Sequence, residues 1–133
     1  MRYLLPLLIA FPAYAAPVCN NEQYHPVSLK VLQEEWKEIV ASGERICIIA
    51  RLEWAHKDNR KKLDVAMLQT PTPSEVVLMG SVNLSMLARD VKRQAFDKCG
   101  SPTTGEECVA AIYGQLTQSA RLSWMIGAEQ LSW

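Results

Sequence analysis

Histidine is scarce in this chain: His25 and His56 are the only two. A Ser-His-Asp or Cys-His site would need one of them in a structured pocket. Both lie in polar stretches that read as loops, Pro17 to Pro26 and His56 to Lys62. There is no glycine-rich loop of the kind that cradles phosphates. The four cysteines contain no Cys-x-x-Cys pair, so the ligand spacing of a zinc site is missing. Charge of one sign is lacking too. The 14 basic residues are matched by 14 acidic ones, which leaves no global field toward nucleic acid or an anionic membrane. Aromatic residues are not interleaved with the basic ones, as single-strand binders need for base stacking. No repeat or low-complexity segment occurs. These absences point to a chain that is no enzyme, needs no metal or cofactor, and is no dedicated nucleic-acid binder.

What is present begins with the N-terminus. Arg2 is followed by an apolar run from Tyr3 to Phe11, interrupted by Pro6, and then by Ala13-Tyr14-Ala15. A basic start, a short apolar run and a small-x-small cleavage pattern read as a secretory signal peptide over residues 1–16. The run is much shorter than the ~20 residues that span a bilayer. Cys19 follows closely, but Ala16-Pro17-Val18 makes a poor lipoprotein signal. Cleavage removes Arg2 and no acid, so residues 17–133 carry 13 basic and 14 acidic residues, a net charge of −1. That length suits one domain. No later apolar stretch is long enough to cross a membrane. The mature chain is therefore expected to have no membrane span and to be periplasmic or secreted.

An even cysteine count in an exported chain implies two disulfides. Four cysteines allow three pairings. Gly100, Ser101, Pro102 and Gly105 make a compact loop between Cys99 and Cys108, which favours that pair and leaves Cys19 with Cys47. The second bridge would tie the N-terminal arm to the most strongly patterned stretch of the chain.

That stretch is Arg45 to Ala55. Ile46, Ile48, Ala50, Leu52 and Trp54 alternate with Arg45, Cys47, Ile49, Arg51 and Glu53, the period of a strand with one face in a core. Before it, Leu29, Leu32, Trp36, Ile39 and Val40 recur at helical spacing, with Ser28 as N-cap and Gly43 as the stop. After it, the charged turn His56 to Lys62 leads into a second strand through Leu63, Val65 and Met67. Thr70-Pro71-Thr72-Pro73 ends that strand, because proline cannot donate to a sheet ladder. Val76 to Val82 reads as a third strand with a bulge or bend at Gly80. A second helix is expected from a Ser85 cap through Leu87, Ala88, Val91, Ala95 and Phe96 to Gly100. Cys108 to Leu116 and Arg121 to Ala128 read as the fourth and fifth strands, with Glu129 to Trp133 as a short tail that either ends there or continues the strand.

Three strands, a helix and two more strands resemble the OB-fold over about Arg45 to Ala128, with strand-final segments such as Arg51-Leu52-Glu53 and Tyr113-Gly114-Gln115-Leu116. The resemblance implies an α+β domain: a small five-stranded antiparallel OB-like β-barrel with an N-terminal helix and a helix between strands 3 and 4. Exported bacterial OB-like proteins often carry such an extra helix. An open antiparallel sheet with both helices on one face is the alternative. In OB-folds the loops after strands 1 and 4 frame a ligand groove. Here those loops hold Lys57, Arg60, Lys61 and Lys62 on one side and Arg121 on the other, with Arg51 on the strand between. Clustered cations suit the phosphate of an oligonucleotide, an acidic sugar or an acidic protein patch. The same lysines also suit a solvated hairpin tip. Thermonuclease-like proteins share the barrel, but Glu53, Asp64 and Arg51 do not reproduce their pattern. The expectation is an exported, disulfide-stabilised, non-enzymatic binding module for a protein partner or an anionic polymer. The alternatives are a hydrolase of nucleic acid or cell envelope, and a subunit of a secreted toxin-like assembly.

Overall fold

Ser28 opens the first helix. Its hydroxyl accepts from the Val31 N–H at 3.2 Å, serving one of the donors that a helix start leaves without an intrahelical partner. The computed structural model describes residues 16–53, 65–69, 78–99, 108–119 and 123–133. Within them helix α1 spans Leu29–Ser42 and bends at Glu35, whose φ of −122° is non-helical. Leu32 is fully buried, and Leu29, Trp36, Ile39 and Val40 are half-buried beside it against the core. Gly43 ends the helix at a φ of 68°, with its N–H 3.2 Å from the carbonyls of both Ile39 and Val40. This is the left-handed position that glycine takes without strain. The expected helix, its cap and its stop are all present.

The sheet is built on β2, Arg45–Glu53. Ile46, Ile48 and Ala50 are completely buried and Leu52 nearly so, as the alternation requires. Each fully buried Ile or Leu contributes about 1.5–3 kcal/mol. Ahead of β2 lies β1, the two-residue strand His25–Pro26, and after it come β3, Val65–Gln69, and β4, Leu78–Asn83. Helix α2, Arg89–Cys99, precedes β5, Val109–Gln118, and β6, Trp124–Ser132. Val82, Ile112, Leu116, Trp124, Ile126 and Ala128 join them in the core, with Val91 and Phe96 of α2 half-buried against it.

Among the described residues, two helices and a five-stranded mixed sheet make this an α+β domain, with β1 added at one edge. The pairings run β2–β3–β4–β6–β5, and β5 also pairs with β2. The expected all-antiparallel barrel is corrected here. β4 and β6 run parallel, with Ser81 opposite Met125 and Asn83 opposite Gly127. Parallel neighbours need a crossover connection, and α2 with β5 supplies it. The β2–β3 and β4–β6 ladders hold three residue pairs each, so the curled sheet is not sealed along its length as a cylinder.

One further expectation shifts and one is refined. Ser85 does not cap α2, which starts four residues later at Arg89. The Asn83 side-chain oxygen takes the Ser85 N–H at 2.9 Å, and this local turn competes with helix at that point. The tail Glu129–Trp133 is mostly strand, but β6 changes phase inside it. Gly114 pairs with Ala128 and Tyr113 with Gln130, leaving Glu129 as an extra residue in a bulge. The bulge keeps Ala128 and Leu131 toward the core. A similar shift at Leu68/Gln69 skips Met79, so the bulge or bend expected at Gly80 falls on the residue before it.

Candidate functional site

Cys47 lies on the face of β2 opposite Ile46 and Ile48, yet it is fully buried. The N-terminal arm covers it. Cys19 is bonded to Cys47, with Cα atoms 5.9 Å apart, which is the arm-to-strand bridge expected from the sequence. Beyond the bridge, the Val27 N–H donates to the Cys47 carbonyl at 3.0 Å, and His25–Pro26 run parallel to Ile46–Cys47.

Tyr113 stands opposite Cys47 on β5 and is also fully buried. Its hydroxyl oxygen accepts from the Asn20 N–H at 3.2 Å. Its single proton is shared between Asn20 Oδ1 at 2.9 Å and the Val18 carbonyl at 3.2 Å. A buried hydroxyl without partners would be unfavourable, so the arm both hides and satisfies it. Cys47, Ala111 and Tyr113 form a second small core, with Cys19, Tyr24 and Ile49 packed against it. The Tyr24 ring meets Tyr113 edge-on at 5.3 Å between centroids, a favoured aromatic geometry.

The bulge at Glu129 completes this cluster. The Tyr24 hydroxyl donates to Glu129 Oε1 at 2.7 Å, and Arg45 Nε donates to the same oxygen at 3.1 Å. The bonded Tyr24 hydroxyl holds the Glu129 carboxyl below its usual range. Partial burial opposes this, and the Arg45 bond and charge add to it. The same bond to Glu129 pushes the Tyr24 phenol up, with burial acting in the same direction, so Tyr24 is kept protonated as a donor and is not primed as a nucleophile. Asn21 Nδ2 reaches Gln130 Oε1 at 3.2 Å on the adjoining position. The network is a clasp for the arm, with no activated base or nucleophile in it.

Two grooves flank the arm. One of about 590 Å³ runs from Asn20 and Tyr24 to Glu44 and Arg45. The other, of about 390 Å³, is lined by Val18, Pro26, Val27, Leu29 and Ile49. Cys19 lines both.

Of the expected site residues, Arg51 sits where β2 changes partner. It pairs with Val109 of β5 on one side and with Gln69 of β3 on the other. It is half-buried, with Nε inside the surface. Lys57, Arg60, Lys61, Lys62 and Arg121 lie outside the described residues, as do Trp54, His56, Asp64 and positions 1–15. Cys99 and Cys108 are both buried in the main core, and Cys108 Sγ lies 3.6 Å from the Lys98 carbonyl oxygen. The loop between them, 100–107, is outside the described residues.

No known protein family matches the chain, and no curated protein matches it.

Among the described residues no helix is long and apolar enough to cross a membrane, and no three of their His, Cys, Asp or Glu side chains gather where a metal ion could be held. Sequence reasoning missed Tyr24, Arg45, Tyr113 and Glu129. A usable signal existed for two of them. A Cys19–Cys47 bridge lays the arm on the Cys47 face of β2, and Arg45 shares that face. Tyr113 needed the β2–β5 register, and Glu129 needed the bulge.

Proposed function

We propose that the protein is an exported, disulfide-stabilised, OB-like binding module with no enzymatic activity, which recognises a protein partner or an anionic polymer. The observation that carries this is the strand order. The β2–β3–β4–β6–β5 pairing, with β4 and β6 parallel and α2 between β4 and β5, is the order of an OB-like sheet. Residues 54–64 join β2 to β3 and residues 119–123 join β5 to β6, the two connections whose counterparts frame the ligand groove of an OB-fold. Residues 54–64 carry Lys57, Arg60, Lys61 and Lys62, residues 120–122 carry Arg121, and Arg51 lies on β2. Clustered cations on these two connections favour an anionic polymer or an acidic protein patch as the ligand. The Cys19–Cys47 bridge supports an oxidising compartment, periplasmic or extracellular.

Binding to an acidic partner through this surface is expected to weaken as salt rises and on replacing Lys57, Arg60, Lys61 and Lys62 together by Ala. Affinity capture from the envelope fraction of the producing cell, followed by titration of the captured partner against this variant, is the test. Undiminished, salt-independent binding by the fourfold variant would sink the basic-surface reading. Turnover of nucleic acid or peptidoglycan that is lost on Arg51→Ala would replace it with the hydrolase.

A further inference from the structure

From residue 16 to residue 26 the arm has no buried side chain: each position is half-buried or exposed. Beneath it, Cys47 and Tyr113 are both 0% exposed. The β2–β5 register sets Cys47 opposite Tyr113 and Ile49 opposite Ala111. These four side chains therefore form one patch on the face of the ladder that points away from Ile46 and Ile48. The arm closes this patch while burying nothing of its own.

A segment with so few buried contacts opens at low cost unless something else holds it. The Tyr113 hydroxyl bonds Asn20 and Val18, Tyr24 bonds Glu129, and His25–Pro26 pair with β2. Hydrogen bonds of this kind replace bonds to water for a small net gain. The Cys19–Cys47 bond is the covalent tie, and it carries the closure.

The two sulfur-bearing residues differ in access. Cys47 is wholly buried, whereas Cys19 is half-buried and forms a wall of both the 590 Å³ and the 390 Å³ grooves. Thiol–disulfide exchange starts when a thiolate reaches one sulfur of the bond, and Cys19 is the one on the approachable side.

We propose that Cys19 is a thiol–disulfide exchange site for a dithiol oxidoreductase, and that exchange there opens the arm from the β2–β5 face. The partner's first thiolate attacks Cys19 Sγ and the Cys19–Cys47 bond breaks. Its electron pair leaves on Cys47 Sγ, which takes a proton from solvent as the arm lifts. The partner's second thiol gives up its proton, attacks the mixed disulfide and releases Cys19, which takes a proton in turn. The chain gains two electrons, and the partner is oxidised to its own disulfide. Opening uncovers Tyr113, Ala111, Ile49 and the new Cys47 thiol. This exchange does not depend on which ligand the basic connections take.

Thioredoxin whose second active-site cysteine is replaced by serine serves as the probe, mixed with the oxidised protein without denaturant. A mixed disulfide mapped by peptide mass to Cys19 is expected. In a parallel sample, dithiothreitol followed by a pulse of iodoacetamide is expected to place adducts on Cys19 and Cys47 alike. Cys99 and Cys108, buried in the main core, are the internal control and are expected to react far more slowly. Exchange of the Asn20 N–H, which donates to Tyr113 when the arm is shut, is expected to rise about tenfold on reduction. Cys19→Ser with Cys47→Ala lacks the bond in any medium and is expected to show that fast exchange without reductant. A mixed disulfide at Cys47, or none, removes the exchange site. Adducts on Cys19 with Cys47 intact, or Asn20 protection unchanged by reduction and by the double substitution, show an arm that stays shut and overturn the opening. Adducts on all four cysteines at one rate overturn it as well, because the bond then holds the whole domain together.

Discussion

Trp124 occupies the space that a side chain at Gly80 would need. A Cβ added to Gly80 would stand 2.8 Å from the indole ring, and Trp124 itself is 2% exposed. The missing side chain on β4 is what lets the largest residue of β6 lie inside the sheet. Gly80→Ala is therefore expected to destabilise the fold by about 1–3 kcal/mol through overpacking, and Trp124→Ala by about 3–5 kcal/mol through the cavity it leaves. Urea denaturation of both variants is the check. A Gly80→Ala midpoint equal to that of the parent chain would show that the contact is slack.

A parallel case is Gly114, opposite the bulge. A Cβ there would run into the Gly127 carbonyl, which is backbone and cannot turn aside. Gly114→Ala is expected to disturb the β5–β6 ladder beside Glu129 and to release the Tyr24 clasp. Amide hydrogen exchange should rise at Tyr113 and Gln130 first.

Opening the Cys19–Cys47 bond removes the covalent tie of the arm. Cys19→Ser with Cys47→Ala is expected to cost about 2–4 kcal/mol and to raise proteolytic nicking between Pro17 and Pro26. Tyr113→Phe keeps the ring and removes the hydroxyl that holds Asn20 and Val18. Its expected loss is about 0.5–1.5 kcal/mol, and the arm amides should show it before the core does. An arm equally protected in all three chains would remove the clasp from the account.

The clasp also makes stability depend on pH at both ends. Glu129 titrates lower in the folded chain than in the unfolded one, so its contribution is present above the ordinary carboxyl range. It is lost as pH falls through the folded value. Tyr24 titrates higher when folded, so its contribution is present below the ordinary phenol range and is lost as pH rises through the folded value. Glu129→Gln is expected to flatten the acid limb of a stability–pH curve, and Tyr24→Phe the alkaline limb. An acid limb that is unchanged in Glu129→Gln would assign it to other carboxylates.

For the second cysteine pair, Cys99 ends α2 and Cys108 precedes β5, both buried, and the expected bridge is put to a direct test. Denaturation with iodoacetamide and no reductant, followed by mass measurement, is expected to give a chain with no adducts. Two adducts mapped to Cys99 and Cys108 would limit the protein to one disulfide.

Much of the framework was legible because its causes are local. Ser28 bonds three residues ahead, Gly43 turns on its own φ, and Ile46 to Leu52 alternate within a single strand. Cys19–Cys47 followed from counting and compartment. The clasp was not legible. Its bonds join Tyr24 to Glu129 and Asn20 to Tyr113, residues separated by 105 and 93 positions. Strict alternation also has no means of announcing a bulge at Glu129. Ser85 was misread for the opposite reason: a side chain two residues earlier took its N–H, a short-range competition that helix periodicity ignores.

By itself the amino-acid order determined the elements, the buried face of β2 and the cysteine that the arm would reach, because side-chain period and turn chemistry act over a few residues. Only the tertiary structure decided that β4 and β6 run parallel and that Glu129 meets Tyr24 and Arg45. Those outcomes depend on which strand pairs with which and in what register. Pairing is settled by the joint burial of distant apolar faces, which no single stretch of the chain contains.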